Sequence, residues 1–470
     1  MNRLVAGGVT LAIIFYAVKV QAHTSEQGFV LLLPTNVYIG AGVMAVALSV
    51  LILAVLPARS STGILDSKAL FRTPDIPSIK VITSLTSFTC LIILLVIGFI
   101  GPHDPLKNLL PLSIWTIWWI GFVCLHGVLG NLWHWVNPWA GIYQLLRATN
   151  KPRQPLLNLP VSVGVWPAVF LYIAFSCFAL ADPAPEDPLR LTIVVSAYWT
   201  FTLIGMLVFG GSVWLQRCEC FTVLLNRMAQ LSVVSSNKKQ VFIGLPGWQL
   251  FTNSVSSTSA AVFILTLLAI GSFDGLNETF YWLGILGINP LEFPGRSAVI
   301  LQTVSGLLLS IVLLIACFAL CVYSGCALAN HRLTDTVSFS ESFVQLSASI
   351  LPIALAYHFA HYLTAFLVNS QYALSAATDP LLNGSDLLGL GKFYVTTGFL
   401  NTSDTVKVIW LTQAAAVVVG HVLSVILAHS IAIRLWQDSR RAILSQLPLA
   451  LFMILYTMLG LWLLAAPRGA

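Results

Sequence analysis

The sequence predicts an all-α membrane protein, a bundle of about ten transmembrane helices that follows a cleavable signal peptide. Three observations indicate this fold class. The hydrophobic fraction is 57%, only 9% of residues are charged and the mean hydropathy is +0.88, whereas roughly a quarter of the residues in a soluble domain are charged. Apolar segments of bilayer-spanning length recur along the chain. Basic residues collect in alternate loops, as they do in the cytoplasmic loops of membrane proteins.

The first 22 residues have the pattern of a secretory signal peptide. Arg3 provides the positive charge at the start, residues 4–20 are apolar, and Ala22 ends a small-residue cleavage pattern. The apolar run is short for a span, and a polar stretch follows it. We therefore predict a signal peptide over 1–22 in preference to a first transmembrane helix.

Ten further apolar segments are long enough to cross a bilayer, which takes about 20 helical residues. They make up one predicted transmembrane domain over 23–470. The sixth segment is short, and residues 276–289 beyond it are predicted to be re-entrant or interfacial. The predicted spans are 37–57, 82–101, 111–131, 160–181, 191–210, 257–272, 298–325, 343–368, 406–433 and 445–466.

The charges in the loops predict the orientation of the bundle. With the mature N-terminus outside, fifteen basic residues fall in inner loops and six in outer loops, while eleven acidic residues fall outside and six inside. This asymmetry predicts that both mature termini lie outside and that the protein resides in a bacterial inner (plasma) membrane. We call the predicted outside the outer side and its opposite the inner side. The lipid bilayer is the partner that this composition implies.

Two segments on the inner side are predicted to lie at the membrane surface. The run from Trp133 to Trp139, which contains Asn137-Pro138, is typical of an aromatic belt followed by a turn, and a ligand pocket is the less favoured interpretation. The segment from Trp214 to Leu231 resembles an amphipathic helix that lies on the inner surface.

The composition and the motifs exclude several classes of function. No basic patch with interleaved aromatic residues occurs, so nucleic acid is not a predicted partner. None of the eight cysteines falls in a predicted outer loop, so no disulfide framework is implied. The chain has no P-loop, dinucleotide fingerprint, G-x-S-x-G elbow or H-E-x-x-H motif. The sequence therefore argues against an ATP-driven pump and against a serine hydrolase of the soluble type.

Histidines are the only ionisable side chains that we predict to lie within the spans. Ionisable groups at membrane depth are costly and usually face a partner, a cavity or a metal ion. A histidine is the least costly of them, because its neutral form is available near pH 7. The five histidines in predicted spans are His126, His358, His361, His421 and His429.

Three of these histidines are candidate metal ligands. His358 and His361 are three residues apart, so they share one face of the eighth helix, and His421 is predicted at a similar depth in the ninth. Gly420 beside it would allow a neighbouring helix to approach closely. Three histidines with one open position are typical of catalytic zinc, and copper also accepts imidazole ligands.

Other interpretations of the histidines stay open. A weaker inner group would consist of His126, His134 and His429, and paired histidines from different spans could instead ligate haem. Each imidazole could also simply form a hydrogen bond between helices. Signal cleavage would expose His23, which could chelate copper, although a polar residue that merely follows the cleavage site is the simpler interpretation.

Two carboxylates are predicted on the same side of the membrane as the outer histidines. Asp274 and Glu278 follow the sixth predicted span, in a stretch whose Asp-Gly pair is typical of a turn. They are the best candidates in the sequence for a general base or for a partner of a metal ligand.

Several segments together resemble one family. The run from Leu351 to Tyr362, the pair Gly420-His421 with Leu427-Ala428-His429 after it, Asn137-Pro138-Trp139 and Ser272-Phe273-Asp274-Gly275 are similar to bacterial multi-pass membrane proteins known as fenitrothion hydrolases. The similarity extends over most of the chain and is strongest after residue 340. It implies cleavage of an aryl phosphorothioate triester, and it carries no assignment of catalytic residues.

These observations lead to one main hypothesis and two alternatives. The main hypothesis is a metal-dependent hydrolase of organophosphorus triesters, with His358, His361 and His421 as ligands and a metal-bound water as nucleophile. A small apolar substrate would enter it from the membrane. The alternatives are a transporter or metal-handling permease and a haem-bearing electron carrier. The lack of a carboxylate in any predicted span counts against the permease.

Overall fold

The computed structural model of the chain describes most of it from residue 28 onward. The predicted signal peptide, its cleavage site and His23 lie outside the described residues. The described ranges are 28–56, 63–72, 77–148, 155–237, 240–253, 255–331, 336–391 and 393–468.

Within these ranges, ten helices are long and apolar enough to cross a membrane, so the prediction of an all-α multi-pass fold is confirmed. Each observed helix overlaps one predicted span. The ten helices are α1 (Thr35–Val55), α2 (Ser78–Ile100), α3 (Leu109–Leu129), α4 (Val161–Ala181), α5 (Pro188–Phe209), α6 (Thr258–Asn277), α7 (Ile300–Ala329), α8 (Phe339–Thr378), α9 (Ser403–Trp436) and α10 (Ser439–Ala465).

Helix α8 is the longest and is interrupted near its inner end. Its first part, Phe339–Ser347, is joined to Leu351–Thr378 by a 3₁₀ turn at Ala348–Ile350. Pro352 explains this turn, because proline has no N–H for the bond that an α-helix would make to the residue four positions earlier. The helix is therefore wound more tightly just before the segment that carries His358 and His361.

Helix α6 forms the centre of the bundle. In its most apolar 18-residue window 83% of the residues are buried, against 17% in α1. Every residue from Ser259 to Ile270 except Val262 is buried. A helix that is apolar all round is suited to such a position. Helices α4, α7, α8 and α10 all contact it.

A glycine allows helices α8 and α9 to pack closely. A Cβ atom placed on Gly420 would lie 2.4 Å from Cβ of Ala356 and 2.9 Å from the carbonyl oxygen of Pro352. No larger side chain fits there without a shift of the backbone. The prediction that Gly420 permits the close approach of a neighbouring helix is therefore confirmed.

The segment that was predicted to lie on the inner surface is instead inserted into the bundle. Its second helix, Cys220–Ala229, buries eight of its ten residues. Glu219 is fully buried and caps this helix: its carboxylate accepts hydrogen bonds from the backbone N–H groups of Phe221 (2.9 Å) and Thr222 (2.6 Å), and from the Tyr198 hydroxyl. The amphipathic pattern thus belongs to a buried helix whose first N–H groups are hydrogen-bonded to Glu219 within the protein.

The prediction of an aromatic belt is also wrong for two of its tryptophans. Trp133 and Trp139 are buried. The Trp133 indole donates to the Thr222 hydroxyl at 2.9 Å, and the Trp139 indole donates to the Trp199 carbonyl at 2.9 Å. Of the three tryptophans in this run, only Trp135 is exposed. The motif therefore links α5 and the inserted helix Cys220–Ala229, because buried indole N–H groups need acceptors.

A small antiparallel sheet lies on the inner side, outside the helical bundle. Its strands are β1 (Lys68–Arg72), β2 (Val234–Asn237) and β3 (Gln240–Ile243), and β3 lies in the middle. Ala69 of β1 and Ser235 of β2 are both paired with Phe242. The sheet thus ties the loop after α1 to the loop before α6.

The burial of Glu219 predicts a pH dependence of stability. Burial raises the pKa of this carboxyl group above its ordinary value, although the bonds from Thr222, Tyr198 and Phe221 act in the opposite direction. A protonated Glu219 therefore contributes fully to the stability of the folded protein below about pH 4.3, the ordinary pKa of a Glu in an unfolded chain. That contribution is lost as the pH rises through the pKa of Glu219 in the folded protein. We expect the Tm of the Glu219→Gln variant to fall by about 2–4 °C less than the Tm of the unmodified protein over this rise in pH.

This expectation is measured by intrinsic tryptophan fluorescence during thermal unfolding at a series of pH values in detergent. Glu341→Gln is the matched control, because Glu341 is exposed in the first turn of α8. Equal pH dependence of Tm in the Glu219→Gln variant and in the unmodified protein would contradict the prediction.

Candidate functional site

A cavity of about 520 Å³ lies between helices α3, α4, α6 and α8. It extends from outer-side residues such as Glu186 and Arg296 to Leu224 and Met228 of the inserted helix Cys220–Ala229. Along α8 its lining runs from Ala354 to Asn369, which corresponds to about 22 Å of helix. Its walls are largely apolar, and their aromatic members include Trp115, Trp119, Tyr172, Phe175, Tyr357 and Tyr362.

One wall of the cavity has an unusual backbone. Residues Leu112–Phe122 of α3 form a π-helix, in which the hydrogen bonds join residues five apart. The carbonyl oxygen of Trp119 in this segment is 2.9 Å from Nε2 of His358 on α8. The Trp119 ring also meets the His358 ring edge to face, with centroids 5.1 Å apart. His358 is therefore fixed against α3.

Asp274 lies inside a transmembrane helix, which corrects the prediction that it follows the span in an outer loop. Helix α6 continues to Asn277, so Asp274 is in its last turns. The Asp274 residue is only 7% exposed. The stretch Ser272-Phe273-Asp274-Gly275 has turn-type residues, yet it stays helical because α6 is surrounded by other helices. The statement that histidines alone are ionisable in the spans is thus wrong.

Asp274 is paired with two side chains of α8. Its Oδ2 atom is 3.1 Å from Nε2 of His361 and also accepts a hydrogen bond from the Tyr362 hydroxyl. The rings of His361 and Tyr362 meet edge to face, with centroids 4.6 Å apart. A buried carboxylate is costly unless donors surround it, and these two bonds supply the donors. All three residues line the cavity.

The pairing determines which nitrogen of His361 carries the proton. An ionised carboxylate can only accept hydrogen bonds, so Nε2 of His361 must be the N–H group. In the neutral ring the lone pair then resides on Nδ1. That atom is buried and has no hydrogen-bond partner within the described part of the chain. His361 is thus oriented by Asp274 with its basic nitrogen unpaired, which is the arrangement of a general base.

Glu278, the second predicted carboxylate, lies one turn beyond Asp274 and at the end of α6. It is half-buried and lines the outer part of the cavity. Arg296, on the same part of the lining, donates to the Ala179 carbonyl at 3.1 Å. Charged side chains therefore surround the outer end of the cavity, whereas the paired Asp274 lies deeper.

The three histidines that were predicted to bind one metal ion do not come together. His358 and His361 both line the cavity, but His358 is bonded to Trp119 and His361 to Asp274. His421 is not among the lining residues. Its Nδ1 atom is bonded to the Val417 carbonyl of its own helix at 2.8 Å, and its ring lies 6.4 Å from that of Tyr456.

The residues present do not fit a three-ligand metal ion. Across the described ranges, no three His, Cys, Asp or Glu side chains are grouped closely enough to hold one. This includes the alternative inner group, in which His429 is bonded to Gln446 at 3.2 Å. The Nε2 atoms of His358 and His361, the ordinary choice for an axial haem ligand, are both occupied by protein acceptors.

The sequence interpretation missed two tyrosines of the site. Tyr362 holds Asp274, and Tyr357 stacks on His361 with ring planes 12° apart and centroids separated by 5.9 Å. A signal was available, because Tyr357 and His361 are four residues apart and thus share one helix face. The partner Asp274 could not be found in this way, since it comes from a different helix.

Comparisons with known proteins identify no relative of this chain. No family model matches it, and neither does any curated protein or any solved structure.

Proposed function

We propose that this protein is a membrane-embedded hydrolase in which His361, oriented by Asp274, is the general base that activates water. The observation that carries the proposal is the Asp274–His361 pair on the wall of a large, mainly apolar cavity. A carboxylate that holds one imidazole nitrogen as N–H leaves the other nitrogen ready to accept a proton.

The substrate class follows from the character of the cavity and from the resemblance to fenitrothion hydrolases. About 520 Å³ lined by aromatic and aliphatic side chains suits an uncharged molecule of moderate size. A neutral aryl phosphorothioate triester has this character. Such a molecule partitions into lipid, so it can reach a cavity between transmembrane helices. An inner-membrane location in bacteria is part of the same proposal.

The proposed reaction is a single displacement at phosphorus. The water oxygen forms a bond to phosphorus, and one water proton passes to Nδ1 of His361. The bond from phosphorus to the aryl oxygen breaks, and its electron pair remains on that oxygen. The proton on His361 then neutralises the aryl oxide. The products are a phosphorothioate diester, which carries the second water proton until it ionises, and a phenol. Asp274 stabilises the charged imidazole in between.

Hydrolysis by purified protein in lipid nanodiscs tests this proposal. The probe is an aryl phosphorothioate triester with a nitrophenol leaving group, whose release is followed by absorbance. We expect His361→Gln to lower kcat by about 10²–10⁴, the range for loss of a general base. His421→Gln is the matched control, because His421 is a buried histidine that does not line the cavity, and its activity should stay within about twofold.

Two outcomes would contradict the proposal. Full activity of the His361→Gln variant would remove His361 as the base. Equal loss of activity in the His361→Gln and His421→Gln variants, both of them folded, would instead favour the three-histidine metal site that the sequence predicted.

A proton-coupled carrier is the second candidate, and the position of Asp274 favours it. The absence of a carboxylate in the spans counted against a carrier, and Asp274 within α6 removes that objection. A hydrogen-bonded carboxylate and histidine at membrane depth are typical of proton relays. Uptake of the intact probe into proteoliposomes, without release of the phenol, would support this candidate over the hydrolase.

A further inference from the structure

Two buried polar atoms without partners lie beside Gly275. They are the Tyr357 hydroxyl oxygen and Nδ1 of His361, and neither has a hydrogen-bond partner among the residues that the structure describes. A Cβ atom placed on Gly275 would be 2.0 Å from the Tyr357 hydroxyl oxygen and 3.7 Å from His361 Nδ1. Both atoms therefore face the same point on α6. The Tyr357 residue is only 3% exposed.

Unpaired buried polar groups are rare because they cost free energy. Here two of them converge, and their chemistry is complementary. The Tyr357 hydroxyl can donate, and the Nδ1 lone pair of His361 can only accept in the tautomer that Asp274 imposes. The rings of Tyr357 and His361 are stacked nearly parallel, and both atoms lie near Gly275, which has no side chain to fill the space between them.

We propose that Tyr357 and His361 hold one water molecule beside Gly275, and that this is the water that His361 activates. This inference rests on the proposed function and names the binding site of its nucleophile. The water would accept the Tyr357 O–H and donate one of its own O–H groups to His361 Nδ1. Its second O–H and its remaining lone pair are then free to be directed into the cavity, which both residues line.

In the reaction, the bound water loses the proton that faces Nδ1 while its oxygen forms the bond to phosphorus. Tyr357 keeps its own proton throughout and positions the water. Removal of the Tyr357 hydroxyl should therefore lower kcat. KM should change little, because Tyr357 binds the water and the contacts of the substrate stay the same. Gly275 is required since a methyl group in its place would overlap the Tyr357 hydroxyl.

Three variants test the site by hydrolysis of the nitrophenyl triester. We expect Tyr357→Phe and Gly275→Ala each to lower kcat by about 10- to 100-fold with KM within about twofold. Gly271→Ala is the matched control, because a Cβ there would be at an ordinary contact distance of 3.6 Å from Tyr357, and it should retain its kcat. The double variant Gly275→Ala/Tyr357→Phe relieves the overlap, so it should regain thermal stability without regaining kcat.

An experimental structure at a resolution that shows ordered water tests the site without any assay of activity. We expect density within about 3.2 Å of both the Tyr357 hydroxyl oxygen and His361 Nδ1 in the full chain, and none in the Gly275→Ala variant. A direct bond between the two side chains with no such density would overturn the inference. So would normal kcat in the Tyr357→Phe variant when His361→Gln is inactive. Activity in the His361→Gln variant would instead refute the proposed function.

Discussion

Replacement of Asp274 by Asn is expected to lower kcat by about 10³–10⁴ while the protein stays folded. The reason is a change of tautomer. Both partners of Asp274 bind its Oδ2 atom. With its amide nitrogen at that position, an Asn side chain donates one N–H to Nε2 of His361 and the other to the Tyr362 hydroxyl oxygen. His361 would then carry its proton on Nδ1 and lose the lone pair that receives the proton of the water. The side chain keeps its volume and its two hydrogen bonds, so packing should change little.

Glu278→Gln is the matched control for Asp274→Asn. It also replaces a carboxylate on α6 by its amide, four residues further on and at the outer part of the cavity. We expect the kcat of the Glu278→Gln variant to stay within about threefold of that of the unmodified protein, because His361 is hydrogen-bonded to Asp274 and not to Glu278. A large loss in the Glu278→Gln variant, with normal kcat in the Asp274→Asn variant, would assign the general-base role to Glu278.

The spans were predictable because hydropathy and length act locally. Each of the ten predicted segments overlaps an observed helix. The outer end of α6 was missed for a reason that is also physical. Asp274 and Gly275 look like the start of a turn, and only the burial of α6 among four other helices keeps them helical. Local preference is overridden there by tertiary contacts, as is common at functional sites.

The candidate site was predictable only in part. Helical spacing predicted that His358 and His361 face one site, and both line one cavity. Asp274 and Glu278 line the same cavity, and the roles predicted for them stay predictions. The rotation of α9 about its axis could not be read from the sequence, so His421 was placed with them although it faces Tyr456. Likewise, the bond from His358 to Trp119 depends on a π-helical segment of α3 that no pattern indicated.

Replacement of Gly325 by Ala is expected to have the largest effect on stability. A Cβ atom on Gly325 of α7 would lie 2.0 Å from the carbonyl oxygen of Ser445 on α10 and 2.9 Å from its carbonyl carbon. The neighbours are backbone atoms within a helix, so no side chain can rotate away. Helices α7 and α10 would have to separate by more than about 1 Å to reach an ordinary contact distance, and close helix packing in membranes depends on small residues at such points.

We expect Gly325→Ala to cost about 3 kcal/mol and to lower Tm by about 10 °C or to prevent accumulation of folded protein. The measurements are size-exclusion chromatography in detergent and thermal unfolding followed by tryptophan fluorescence. Gly460→Ala is the control, because it also adds a methyl group inside a transmembrane helix but meets its nearest neighbour, Val417, at 3.5 Å. Its Tm should change by no more than about 2 °C. Equal Tm values for the two variants would mean that α7 and α10 do not pack as closely as Gly325 implies.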